Sequence, residues 1–524
     1  MNKILFILFI VCSRACFAQV SFEKIYTISG YGMNGSKVIQ EQDGTFLILA
    51  NAYSGVSINK GCLVKADSIG NILWAKYYSE QLFNHISFSN FELTPNNDYI
   101  ISGTASNATS RRILMMKVDS LGNIIWSNCY GQGLNNSNAG WCVKVLSDGN
   151  YLIGGAIDSG DIYFIKTDTS GNTLWSRSIS TGGFDVATGI ETCSNGNFVV
   201  MGKDSSGTTL AEFDNSGNLV WNKTYSLLNG HDLTQWGVRR CPDNGFAIVG
   251  VWNADTSGFW PYLLKTDSSG NPIWCKIYTQ TTRPAIVGEF FDIRITADSG
   301  FILTWEPEYP CQYCRTGLIK TDSLGYIEWA INYQLNTYTF PSSAIQTSDL
   351  GYVIIGEAIS STGRGIGFFK TDSNGETGCY DSTLAVVPIN STVTTNTYGT
   401  LGSGHFLNAF NPVATTVSIT DTNSCYQLNL SEIDLESQTS ELLIFPNPAN
   451  QGITITTNYS HDINVEIKII DMLGQIILSK NERTIDNGHL LATINTENIS
   501  PGIYFVKLYD GERGYCRKII IEHY

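Results

Sequence analysis

Charge is what this chain has least of. Only 15% of its 524 residues are Asp, Glu, Lys or Arg, and 32 basic residues face 47 acidic ones. A net charge of −15 argues against a nucleic-acid partner, because phosphate binding needs clustered Lys and Arg. Histidine is scarce, six in all, and no HExxH, GxSxG or phosphate-cradling glycine loop stands in its required context. The expectation is no catalytic set, no cofactor and no metal site. Beyond the N-terminus nothing approaches the ~20 apolar residues of a spanning helix, so no transmembrane segment is expected. Disorder does not explain the low charge, since aromatics reach 12% and glycine numbers 50. That mixture suits many short strands joined by tight turns.

Residues 1–18 read as a secretory signal. Lys3 is the positive start, Ile4 to Val11 the apolar run, and Ala15-Cys16-Phe17-Ala18 the cleavage neighbourhood. Cys16 raises a lipoprotein alternative, although Arg14 and Ala15 make a poor lipobox. Of 13 cysteines, Cys12 and Cys16 leave with the signal, and the odd, scattered remainder is no disulfide framework. Cys311 and Cys314 form a lone CxxC lacking the second pair of a structural zinc site, which leaves a loop disulfide or two free thiols. Cys379 and Cys425 suit a bridge.

One unit occurs seven times. Its clearest piece is Lys-x-Asp-Ser-x-Gly-Asn-x-x-Trp, as in Lys65 to Trp74 and Lys265 to Trp274. The Asp recurs at 67, 119, 168, 214, 267, 322 and 372. A second marker is an aromatic after a turn, at Phe46, Tyr99, Tyr151, Phe198, Phe246, Phe301 and Tyr352. Gly follows it four residues later in five of the seven units, at 103, 155, 202, 250 and 356. Each unit divides into four short strands, and its turns carry the Asp, Gly and Asn of hairpins.

Four strands in about 50 residues, repeated, predict an all-β fold: a seven-bladed β-propeller over 19–385. The last unit stops after Gly375 without its Trp strand. Phe22-Glu-Lys24-Ile-Tyr26 matches Trp74-Ala-Lys76-Tyr-Tyr78 one period away, so residues 20–27 are expected to complete the last blade and close the ring. An open array or two smaller rings is the alternative. The Asp-Ser-x-Gly-x-x-x-Trp hairpins resemble the Asp-box of sialidase-type and other propellers. That resemblance implies turn-stabilising Asp and Ser, and a Trp packed between blades away from any active site.

Residues 386–436, rich in Thr, Ser and Asn, read as a linker with some strand content. From 437 to 524 the pattern changes. Val465, Ile467 and Ile469 alternate with Glu466 and Lys468, and about 80 residues of such strands predict an Ig-like sandwich. Phe445-Pro446-Asn447-Pro448, Ile470-Asp471-Met-Leu-Gly474, Ile499-Ser-Pro501-Gly502-Ile-Tyr504 and Arg517-Lys518-Ile-Ile-Ile resemble the type A C-terminal sorting domain of type IX secretion. The resemblance implies passage across the outer membrane with that machinery as partner, and a secreted or surface location.

Within each blade the second-to-third and fourth-to-first connections share a face, and they are the long ones. Units five and six carry the longest. They place Trp252, Phe259, Trp260, Tyr262, Trp305, Glu306, Tyr309 and Tyr313 as candidate ligand-binding residues, with Trp141 and Trp236 approaching the same face. Arg239, Arg240 and Arg294 fall on first strands, where partnered charges are the simpler reading. The leading expectation is a binding or adhesion protein with a glycan or surface-protein ligand. The alternative is a secreted polysaccharide- or peptide-degrading enzyme using Glu306, Glu308 and Asp292.

Overall fold

The computed structural model describes residues 19–522 apart from 55–57, 81, 132–137, 158–160, 181–184, 205–206, 228–232, 254–258, 281–286, 310–314, 334–337, 361–362, 380, 397–399, 403–406, 410–412, 417–419, 430–442, 460, 472–475, 485–487 and 510–513. The expected signal at 1–18 and Tyr313 lie outside the described residues. Among the described residues all elements are strands. The chain divides into two compact units, Ser21–Gln427 and a second holding Leu428–Tyr524.

The larger unit is built of seven propeller-like blades. Blade 1 runs Gly32–Gln40, Phe46–Ser54, Ile58–Ala66 and Ile72–Ser79 as an antiparallel meander. Blades 2 to 6 repeat it, and their first strands are His85–Leu93, Ala139–Val145, Val186–Thr192, Leu233–Arg240 and Val287–Ile295. Blade 7 has Tyr338–Gln346, Tyr352–Ser360 and Gly363–Thr371 from its own repeat. Its fourth strand is Gln19–Thr27, in which Phe22 to Tyr26 pair with Lys370 to Ile366. The first strand of each blade packs on that of the next, and that of blade 7 on that of blade 1.

Local chemistry makes the third-to-fourth hairpin. Asp67 accepts the Ile69 and Asn71 amides at 3.0 and 2.7 Å, and Asn71 Nδ2 returns to its other oxygen at 2.9 Å. Gly70 takes a φ of +77°, which a side chain would strain. Asp119, Asp168, Asp214 and Asp267 repeat the network. The same hairpin joins neighbouring blades. Tyr78 Oη donates to the Gly122 carbonyl of the next blade at 2.8 Å, and Tyr130, Tyr225, Tyr278 and Tyr333 do likewise. Blade 3 has Ile179 at this place, and Arg177 Nε reaches Gly217 instead, at 3.0 Å. Tyr26 donates to Gly70 at 2.6 Å, so the N-terminal strand carries the link from blade 7 to blade 1. Each such buried bond is worth about 1 kcal/mol. The Trp of each blade lies over the next hairpin glycine, and Phe22 takes that place over Gly70.

The repeated second-strand glycine answers to a bulge in the strand beside it. In every blade the first strand carries a bulge at the same place: Ser36, Ser89, Trp141, Thr188, Trp236, Phe291 and Ser342 are skipped by the pairing. A Cβ on Gly103, Gly155, Gly250 or Gly356 would lie 1.9–2.1 Å from a first-strand carbonyl oxygen just before the bulge. Glycine at that position lets the bulged strand approach.

The stretch read as a linker is part of the sheets. Asp381–Thr383 pairs with the fourth strand of blade 6, Val386–Ser391 with blade 5 and Val393–Asn396 with blade 4. Thr400–Gly402, Leu407–Ala409 and Val413–Thr416 continue to blades 3, 2 and 1, and Thr420–Asn429 lies beside Gln19–Thr27 of blade 7. All seven sheets thereby gain a fifth strand. The reason is physical: each fourth strand ends in unpaired backbone groups, and a polar, β-branched strap satisfies them. Cys379 is disulfide-bonded, while the side chain of its expected partner Cys425 lies outside those described.

The smaller unit has a three-stranded sheet (Leu443–Phe445, Gly452–Asn458, His489–Asn495) and a four-stranded one (Asn464–Ile470, Ile476–Arg483, Gly502–Tyr509, Gly514–Ile521). Ile453, Ile455 and Ala492 of one share a core with Val465, Ile467 and Val506 of the other, as their two-residue alternation requires. Among the described residues no helix is long and apolar enough to cross a membrane.

Candidate functional site

A bulge turns its extra residue out of the two-residue alternation, and here all seven bulged residues turn to one place. They line a cavity of about 800 Å³ between the first strands of the blades. Trp141, Trp236 and Phe291 supply blades 3, 5 and 6, whereas Ser36, Ser89, Thr188 and Ser342 supply the others. Trp141 is 45% exposed and Trp236 42%, and Trp236 leans on Phe291 with ring centroids 6.0 Å apart. Arg111 and Lys203, beside the second-to-third connections of blades 2 and 4, also line it. The cavity therefore reaches toward the face of the long connections.

Further along the same strands runs a chain of alternating charge. Lys144 lies 2.8 Å from Glu92 and 3.1 Å from Glu191. Arg239 lies 3.5 Å from Glu191 and 2.8 Å from Asp292, and Arg294 lies 3.3 Å from Asp292. Ser343 Oγ donates to Asp292 at 2.6 Å, and the Val145 amide to Glu92 at 2.8 Å. Burial acts to raise the Asp292 carboxyl, but Arg294, Lys37 and Arg239 outweigh it and hold it far below the ordinary range. For Lys144 burial is likewise outweighed, by Glu191 and Glu92, which raise its pKa. Arg239 and Arg294 are thus partnered, as expected of first-strand arginines. Arg240 instead turns to Asn244 and the Thr192 carbonyl.

Lys37 differs from these. It lines the cavity next to the Ser36 bulge, and its side chain makes no hydrogen bond or ion pair among the described residues. Burial drives its ammonium down to about 7, aided by Arg294 and Arg239 and opposed by Asp292 and Glu92.

The residues singled out on the loops of blades 5 and 6 stand elsewhere. Tyr262 is 0% exposed and its hydroxyl lies 3.1 Å from Thr208 Oγ1. Trp305 is 1% exposed and packs on Phe290. Trp252 and Trp260 face each other across a strand pair, half-buried, at 6.2 Å between rings. Glu306 is 5% exposed opposite Glu289, and burial, with that second carboxylate, pushes it up to about 7. None of these five lines the cavity. The side chains of Phe259, Glu308 and Tyr309 lie outside those described. The bulges, and with them Ser36, Ser89, Thr188, Phe291 and Ser342, were missed, yet the second-strand glycine marks five of the seven, since each such glycine sits across from a bulge. Among the described residues no group of His, Cys, Asp or Glu is arranged to hold a metal ion.

Residues 443–522 match the family described as the secretion system C-terminal sorting domain. That tail makes the chain a secreted or outer-membrane-surface protein, recognised by the type IX secretion machinery. No curated protein matches the chain. Among solved structures it is similar to Drosophila Plexin A in complex with Semaphorin 1b, at 9% identity and a TM-score of 0.37 over 68% of this chain and 88% of that one. A hypothetical protein from Leishmania major is similar at 11% identity and a TM-score of 0.28, over 66% and 87%. Dimeric latent PorU from Porphyromonas gingivalis follows at 10% identity and a TM-score of 0.16, over 83% and 32%. At these values the likenesses carry no argument.

Proposed function

We propose that the chain is a seven-bladed β-propeller closed by its N-terminal strand, exported with the signal at 1–18 and an Ig-like sorting sandwich. Its cavity between the first strands binds a glycan or surface-protein ligand without turning it over. The observation that carries this reading is the wall of Trp141, Trp236 and Phe291, with both tryptophans nearly half exposed. Aromatic faces left open in a concave site are the usual means of stacking on a ligand. Trp252 and Trp260, side by side on the second and third strands of blade 5, are an accessory surface in the same proposal.

A glycan-array screen paired with a turnover assay on the same ligands tests it. Binding without turnover, weakened at least about ten-fold by Trp236→Ala, is the expected result. One feature favours the alternative, a polysaccharide- or peptide-degrading enzyme: Glu306, holding its proton up to about 7 beside Glu289, has the form of a general acid. Turnover abolished by Glu306→Ala would establish that second reading in place of the first.

A further inference from the structure

We infer that the cavity between the first strands selects acidic carbohydrate, recognising carboxylate or sulfate groups through Lys37, Arg111 and Lys203 while the sugar rings lie on Trp141 and Trp236. The inference rests on the glycan reading above and narrows it to one chemical class.

Charge is the first argument. Six cationic side chains line the cavity, Lys37, Arg111, Lys144, Lys203, Arg239 and Arg294, against three carboxylates. This is the reverse of the whole chain, whose net charge is −15. The three carboxylates are all engaged: Glu92 by Lys144, Glu191 by Lys144 and Arg239, Asp292 by Arg239 and Arg294. Those pairs use up Lys144, Arg239 and Arg294. Lys37, Arg111 and Lys203 have no side-chain hydrogen bond or ion pair among the described residues, so the cavity carries three uncompensated donors. A half-buried cation without a counter-ion is costly unless something anionic supplies one.

The arrangement of the walls is the second argument, and it tells a sugar from a bare anion. Large rings stand at the bulges of blades 3, 5 and 6, and small hydroxyl side chains at those of blades 1, 2, 4 and 7. A pyranose has an apolar face for the first and hydroxyl edges for the second. An inorganic anion would need neither, and a fatty acid would leave the hydroxyls and two of the three cations without work. A carboxylated or sulfated sugar uses all three groups at once.

The test is isothermal titration of the full secreted chain with three oligosaccharides of equal length: a galacturonate oligomer, its neutral galactose counterpart, and a sulfated galactose oligomer. One or both acidic oligomers should bind at least about ten-fold tighter than the neutral one, a preference that falls with added salt. The tighter acidic arm identifies the anionic group. Lys203→Gln and Arg111→Gln, both at half-exposed positions, should each weaken acidic binding about five-fold and so narrow the preference for acidic over neutral oligomers. Lys37→Met should do the same, with its thermal melt checked for folding. Neutral and acidic oligomers binding equally, with Trp236→Ala weakening both, would overturn this inference and leave the glycan reading standing. Binding of none of the three would remove both. A single-stranded oligonucleotide displacing the acidic sugar with higher affinity would also overturn it.

Discussion

At the outer hairpins the repeat hardly changes: the Asp, the glycine at positive φ and the ring lying over it recur from blade to blade. At the bulges of the first strands the backbone is equally constant, yet the side chain is Ser, Ser, Trp, Thr, Trp, Phe and Ser in turn. The hairpins hold neighbouring blades together, so every copy needs the same chemistry. The bulges hold the same backbone but release one side chain each into a shared cavity. Variation there costs the sheets little, because the bulged residue is already outside the ladder. Constancy marks the scaffold and variation marks the site.

The comparison breaks most severely at the outermost edge. Ending the chain after residue 380 removes all seven fifth strands, whereas ending it after residue 436 keeps them. The shorter protein should melt at least about 10 °C lower or without cooperativity, and should self-associate through exposed strand edges. Calorimetry and light scattering on the two truncations measure this. Equal melting temperatures would show that the strap contributes nothing.

A smaller loss is expected in the charge chain behind the bulges. Arg239→Met leaves Glu191 and Asp292 with one cation each, and should cost about 3 kcal/mol in a urea titration. Smaller again is Tyr278→Phe, which strips the Gly325 carbonyl of its donor at a cost of about 1.5 kcal/mol. If hairpins are scaffold, Tyr78→Phe and Tyr225→Phe should cost the same within error, since they make the same bond in other blades. A spread of several kcal/mol among the three would contradict the equivalence of the hairpins.

How much of this could be read from the chain alone divides along the same line. The hairpins were legible because Asp, Gly and Asn act within five residues of one another, and local chemistry leaves a local pattern. The pairing of Phe22 to Tyr26 with blade 7 was legible because Phe22, Lys24 and Tyr26 copy a fourth strand: Tyr26 and Lys24 both reach Gly70. The strap was not, because its strands answer to vacant edges elsewhere and have no period of their own. Trp141 and Trp236 were placed on the right face, but as loop residues. A bulge shifts the strand by one, so alternation from either end assigns the bulged residue to the wrong side. Tyr262 and Trp305 misled for the opposite reason: they flank long connections, yet each belongs to a strand and is covered by the preceding blade.

The smallest effect tests whether Lys37 belongs to the site or to the scaffold. Its native pKa of about 7 lies below the 10.5 of an ordinary lysine, so the unfolded chain holds the extra proton between those values. Stability must then rise with pH across that window, and below pH 7 the penalty is present in full. Burial sets it first, opposed by Asp292 and Glu92 and aided by Arg294 and Arg239. Replacing Lys37 with Met should therefore stabilise the free protein at pH 6 by about 1 kcal/mol, allowing for solvent screening of a half-buried group. The gain should shrink as pH climbs from 7 toward 10, as read by denaturant midpoints at each pH. A scaffold lysine would behave otherwise: its loss would destabilise the fold at every pH. A group kept at the expense of stability, next to the bulge and lining the shared cavity, is one retained for what it contacts there.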